Sequence, residues 1–166
     1  MNDSAASKAP TVLPVRTDDE LAAVTALFRE YEASLDTDLC FQGFEAELAG
    51  LPGQYAPPRG ELYIARDGAG EAIGCVALRP VELEGSCEMK RLFVAPAGRG
   101  LGIGKALMNA VIEDARRIGY REMRLDTLPA MTTAQAMYRA AGFRPIEPYY
   151  ETPVGGTVFM ALDLTA

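Results

Sequence analysis

Three glycines alternate at Gly100, Gly102 and Gly104, with Arg99 just before them and Lys105 just after. Alternating glycines let successive backbone N–H groups turn toward one point. The unpaired amides of a following helix would add to them, so this spacing builds an anion site. Charge points the same way. No acidic residue occurs between Met89 and Ile112, while the same stretch carries Lys90, Arg91, Arg99 and Lys105. An ordinary helix favours Asp or Glu in its first turn, whereas a lysine there suits a bound polyanion. The dinucleotide pattern G-x-G-x-x-G fails, because from Gly98 it ends on Ile103 and from Gly100 on Lys105. The P-loop pattern fails too, since position 99 is Arg and Ala106 is neither Ser nor Thr. A flexible connector with accidental basic neighbours is the plain alternative.

Composition narrows what else is available. The chain has 166 residues, no histidine and three cysteines, Cys40, Cys75 and Cys87. Without imidazole, Ser-His-Asp and Cys-His nucleophile systems are excluded, as are zinc sites built on Cys and His. Chemistry must fall to carboxylates, tyrosines, thiols, backbone groups or a cofactor. An odd cysteine count suits a reducing compartment. A hairpin turn over Glu82–Gly85 would set Cys87 opposite position 80 rather than Cys75, so no disulfide joins them. With a net charge of −7 there is no global basic field for nucleic acid. No run reaches the ~18 apolar residues of a membrane span, and Met1–Pro10 lacks a signal peptide's apolar stretch. A soluble, cytoplasmic protein with a frayed, disordered tail over residues 1–10 and a single domain over 11–166 is expected.

The elements that must position the loop follow from periodicity. Thr11–Arg16 reads as an edge strand interrupted by Pro14. A helix starts at Thr17, where Thr17-x-x-Glu20 is a capping box, and Leu21, Val24, Leu27, Phe28 and Tyr31 form its apolar stripe. A short helix over Gly43–Ala49 and a Pro/Gly-rich loop over Leu51–Gly60 come next. Glu61–Arg66, Ala72–Arg79 and Ser86–Val94 alternate as strands of an antiparallel meander. Ile103–Ile118 is the clearest helix, ended by Gly119 with Arg116 and Arg117 in its last turn. Arg121–Thr127 is a strand, Thr132–Ala141 a helix ended by Gly142, and Phe143–Ile146 and Thr157–Leu164 are two more strands. The glycine loop therefore sits between a strand and a helix, in the order β-α-α-β-β-β-α-β-α-β-β.

Arg99-Gly100-Leu101-Gly102-Ile103-Gly104 resembles the R/Q-x-x-G-x-G/A signature of the GNAT acetyltransferase superfamily. Ala134–Phe143 (AQAMYRAAGF) is similar to that family's A-x-x-x-Y-x-x-x-G-F segment, and Leu92–Pro96 to the end of its fourth strand. The resemblance covers about residues 11–164. It implies an α/β (α+β) fold, a single mixed and mostly antiparallel seven-stranded sheet flanked by about four helices. It further implies a soluble acetyl-coenzyme A-dependent transferase. In the family the loop, here Arg99, Gly100, Leu101, Gly102, Ile103, Gly104 and Lys105, holds the coenzyme's pyrophosphate. Leu92, Phe93 and Val94 would bond its pantetheine arm through their backbone, and one such N–H would stabilise the oxyanion.

Other roles carry over in the same way. Ala134 would line the coenzyme site, and Tyr138 corresponds to the tyrosine that protonates the departing thiolate; the other reading of Tyr138 is an aromatic anchor. Glu88 stands where some members carry a glutamate base. Strand alternation is expected to put Glu88, Lys90, Leu92 and Val94 on one face. An ion pair of Glu88 with Lys90 or Arg91 is the competing reading, with an ordered water as base. Met131 replaces an asparagine common in the family, and transfer through Cys87 is disfavoured for lack of activation. The acceptor, a small amine-bearing or amino-acid-like molecule, would meet Tyr31, Glu88, Tyr149 and Tyr150, with Gln54, Tyr55 and Glu151 as further candidates. The resemblance leaves a homodimer open. Two competing functions stand beside the transferase of small amines: a non-catalytic acyl-coenzyme A-binding regulatory module, and a protein or peptide N-acetyltransferase.

Overall fold

A computed structural model describes residues 9–35 and 43–166. Residues 1–8 of the expected tail and Cys40 lie outside the described residues. The elements run β1 (Thr11–Pro14), α1 (Asp18–Ser34), α2 (Phe44–Ala49), β2 (Glu61–Arg66), β3 (Ala72–Pro80), β4 (Ser86–Val94), α3 (Ile103–Ile118), β5 (Glu122–Thr127), α4 (Thr132–Ala141), β6 (Arg144–Pro145) and β7 (Val158–Asp163). Type and order agree with the periodicity, and the ends differ by a residue or two. β1 ends at Pro14, two residues before Arg16, with Val15 N–H making a last bond to the Leu62 carbonyl at 2.8 Å. The capping box forms: Glu20 N–H donates to Thr17 Oγ1 and Thr17 N–H to Glu20 Oε1. At Gly119 (φ 108°) the chain leaves α3 in the left-handed region, its N–H bonding back to Ala115 and Arg116 carbonyls.

The strands form one seven-stranded sheet in the order β1-β2-β3-β4-β5-β7-β6. Every pairing is antiparallel except β4 with β5, which is parallel. A parallel neighbour requires a long crossover, and α3 supplies it. Pro80 faces Cys87 in the β3–β4 ladder, so the hairpin separates the two described thiols as the turn position implies. Helices cover both faces. Leu107, Val111 and Tyr138 of α3 and α4 pack into one core with Val76, Met89 and Met123. Val24, Phe28 and Phe44 of α1 and α2 pack into the other with Leu62, Ala77 and Phe93.

Candidate active site

Two irregularities of β4 create the site. The parallel pairing with β5 runs only from Ser86↔Glu122 to Glu88↔Arg124, after which β5 stays with β7 alone. Beyond Glu88, the edge of β4 that faces β5 is therefore released from the ladder. On its other edge, β4 pairs Lys90 with Ala77 and Phe93 with Cys75, so three steps on β4 oppose two on β3. That is a bulge. Arg91 sits in it with φ 59°, a conformation that a non-glycine residue adopts only when its surroundings hold it there. Here the Arg91 guanidinium bonds Glu47 of α2 at 2.9 and 3.1 Å and lies over the Phe44 ring, and its carbonyl accepts the Cys75 thiol.

The bulge overturns the expected alternation. Leu92 and Val94 pack with Met89 against the α3–α4 core, while Phe93 joins the α1–α2 core. One inserted residue reverses every side chain after it, so Glu88 and Lys90 do not share a face with Leu92 and Val94.

The released edge opens into a narrow gap lined by Lys90, Leu92, Asp126, Met131 and Tyr138. The gap continues into a cleft of about 480 Å³, lined by Leu92, Phe93, Val94, Arg99, Gly104 and Ala134. Six of the residues expected at the coenzyme thus come together. At the far end, Gly100 and Gly102 have φ of 81° and 74°, and Gly102 caps α3 without any side-chain bond. From Gly100 to Lys105 no backbone N–H donates to another described residue. Arg99 and Lys105 are exposed and make no ion pair among the described residues. Donors so disposed suit an anion. Ile103 is only 4% exposed and belongs to the core, so it can offer a ligand its amide alone. Leu101 is exposed. A long thioester with a pyrophosphate fits this arrangement: donors at one end, an apolar cleft, and an unpaired strand edge along the way.

Tyr138 is buried, tilted against Phe143 at 5.7 Å, and its hydroxyl bonds to no described residue. Burial, helped by Tyr31 and Asp126, pushes the phenol above its ordinary pKa, so it keeps its proton. Met131 stands at the N-cap of α4 without a side-chain capping bond, and the Thr132 N–H beside the cleft donates instead to the Ala130 carbonyl at 2.9 Å.

Glu88 is 1% exposed at the floor of a second pocket of about 430 Å³, on the other side of the point where the strands part. Its ion pair is with neither Lys90 nor Arg91. Arg79 donates to Oε1 from Nε at 2.8 Å and lies 2.7 Å away through a terminal nitrogen, while the Tyr149 hydroxyl donates to Oε2 at 2.5 Å. Arg79 wins because it is the direct cross-strand partner of Glu88. Lys90 lies 3.9 Å from Asp126, and burial lowers its pKa against the pull of Glu88 and Asp126. Tyr150 donates to Asp126 at 2.8 Å. Asp126, like Arg79, is a residue that sequence reasoning missed. It differs from other acidic strand residues only in facing the gap, which no local pattern records.

Tyr149 and Tyr150 line the second pocket with Glu88, as expected, and so does Gln54. Tyr31 does not join them. It lines the gap and the cleft, 5.8 Å from Phe93, because α1 crosses the open end of β4. Tyr55 is a core residue set edge-on to Phe28, and Glu151 is exposed. Cys87 is fully buried, and burial beside Glu88 and Glu122 pushes its thiol up to about 12. No group of His, Cys, Asp and Glu that could hold a metal occurs among the described residues, and none of their helices is long and apolar enough to cross a membrane.

Known proteins share this architecture. The chain is 39% identical to an uncharacterized N-acetyltransferase of Schizosaccharomyces pombe, over 93% of this chain and 95% of that one. It is 35% identical to an IAA acetyltransferase of Azospirillum brasilense, over 66% of this chain and 71% of that one. A Klebsiella pneumoniae structure described as an acyl-CoA N-acyltransferase superposes with a TM-score of 0.73 at 29% identity, over 93% of this chain and 97% of that one. The model of the acetyltransferase (GNAT) family matches residues 21–143, and with the glycine loop, the bulged strand and the parted sheet in place, the chain belongs to the GNAT acetyltransferases and is an acyltransferase.

Proposed function

We propose that the protein moves an acetyl group from acetyl-coenzyme A directly to the primary amine of a small acceptor. One observation carries this reading: β4 leaves β5 after Glu88, and the freed edge runs from the second pocket through the Tyr138 gap to the unpaired amides of Gly100–Lys105. When bound, acetyl-coenzyme A supplies an activated acyl group and a thiolate leaving group. The chain's own residues do the rest. The Gly100–Lys105 amides with Arg99 and Lys105 take the pyrophosphate, and the Leu92–Val94 backbone aligns the arm and presents an N–H to the thioester carbonyl. Tyr138 holds a proton ready for the sulfur.

Glu88 takes the proton from the incoming amine. Both of its oxygens are engaged, so the proton reaches it through the Tyr149 hydroxyl or a water. A second route, through Asp126, is favoured by its place in the gap with Tyr138 and by its bond from Tyr150. The second pocket, about 430 Å³, has the volume of a small-molecule site, which supports a small acceptor. Thiol release from acetyl-coenzyme A, measured across amines, amino acids and peptides, tests the reading. Release with small amines supports it. Tight coenzyme binding with no release above hydrolysis would mean a binding module, and release with peptides alone a peptide acetyltransferase.

A further inference from the structure

The second pocket has an unbalanced stock of hydrogen-bonding groups. Apart from Glu82, its carboxylate and amide acceptors are already used inside the protein, the buried Glu88 and the exposed Gln54 alike. Glu88 is occupied on both oxygens by Arg79 and Tyr149, and Gln54 Oε1 accepts from Arg79 at 3.2 Å. The Tyr150 hydroxyl gives its proton to Asp126. Arg124 is different. Only its Nε is engaged, by Glu122, and its two terminal nitrogens bond to no described residue. The guanidinium lies 5.2 Å over the Tyr149 ring, which fixes its plane, and the side chain is 22% exposed. What remains to meet a ligand is therefore a fork of N–H donors with the Gln54 amide nearby. Glu82 is the other charge lining the pocket, and it stands exposed at the rim.

The chemistry that fits is planar and singly negative. Arg79 spends all three of its nitrogens on Glu88 and Gln54, whereas Arg124, ion-paired to Glu122 through Nε alone, keeps its two terminal nitrogens open, and that guanidinium edge matches a carboxylate in a bidentate pair. Position matters as well. Arg124 is in the last paired register before the strands part, and Asp126 lies two residues on, roughly 7 Å along a strand. A molecule with its carboxylate on Arg124 and its amine one carbon away would place that amine at the mouth of the gap. Pro80, Val81 and Leu83 supply an apolar wall beside it.

We infer that the acceptor is an α-amino acid or similar amine bearing a carboxylate, held by Arg124, with its apolar side chain against Pro80, Val81 and Leu83. This rests on the acetyl-transfer reading above and specifies its substrate class. The test pairs leucine, methionine and phenylalanine with their amides, which keep the amine and lose the charge. In thiol release the acids should exceed their amides by about 30-fold in kcat/KM, the range for a hydrogen bond to a charged group. Arg124→Gln should reduce that preference to under about 3-fold by slowing the acids alone. Calorimetry of N-acetylphenylalanine with the protein alone should show binding weakened about tenfold or more in the variant.

Equal use of acids and amides by the wild type would overturn the assignment while leaving acetyl transfer standing. So would a preference that survives Arg124→Gln. If no amine releases thiol, the transfer reading fails and this one with it. The wild-type comparison decides the matter even if the variant folds poorly.

Discussion

Replacing Tyr138 with phenylalanine removes a single oxygen, and the surroundings of that oxygen set the expected result. The ring is buried and retains its contact with Phe143 at 5.7 Å, so packing is preserved. The hydroxyl bonds to no described residue, so no internal hydrogen bond is lost. Burying a hydroxyl without a partner costs about 1–3 kcal/mol, and one that borders a gap pays the lower part of that range. Tyr138→Phe should therefore leave stability unchanged or raise it by up to about 1 kcal/mol, a Tm increase of no more than ~4 °C for a chain of this size. Coenzyme affinity, measured by calorimetry, should stay within about threefold, because the phosphate donors lie at the other end of the cleft. Turnover should fall by about 10²–10⁴, the usual contribution of a positioned acid. Thermal melts and steady-state thiol release on the same preparation give all three numbers. An unchanged turnover would make Tyr138 a packing residue only. A stability loss beyond ~2 kcal/mol would mean that the hydroxyl has a structural partner and is not a free acid.

Two further outcomes test the loop and the thiols. Gly102→Ala meets nothing within 4 Å but must adopt φ 74°, so it should cost about 1–2 kcal/mol through backbone strain and weaken coenzyme binding tenfold or more by turning the loop amides; unchanged affinity in calorimetry would remove the loop from the site. Cys87 has a native pKa raised to about 12 from 9.0, so its contribution to stability is complete below pH 9 and is lost as pH rises from 9 toward 12. Native protein at pH 8 should resist iodoacetamide at Cys87, Cys87→Ala should retain acetyl transfer, and wild type should lose more stability than Cys87→Ala between pH 9 and 11 in urea melts. Rapid native alkylation, or loss of transfer in the variant, would reopen a route through the thiol.

Much of the architecture was legible along the chain because it depends on local chemistry. The capping box at Thr17, the period of Ile103–Ile118, the glycine stops and the hairpin that separates Cys75 from Cys87 each involve residues close in sequence. The conformation of the glycine loop was equally readable, since the left-handed turns at Gly100 and Gly102 follow from glycine spacing. The departures came from β4. Nothing in Ser86–Val94 marks Arg91 as a bulge; what holds it is Glu47 and Phe44, more than forty residues away. With one residue inserted, Leu92 and Val94 exchange faces with Phe93, and a rule of alternation that counts from Glu88 gives the wrong side.

The sequence by itself therefore determined the elements, the glycine loop between strand and helix, and the chemistry that lack of histidine leaves possible. Only the tertiary structure decided which charges meet. Cross-strand register paired Glu88 with Arg79, the parting of β4 from β5 brought Asp126 into the gap beside Tyr138, and the stacking of Arg124 on Tyr149 left donors open to an acceptor. Side-chain identity is a local property, whereas the field around a side chain is set by neighbours that register and twist bring in from elsewhere in the chain.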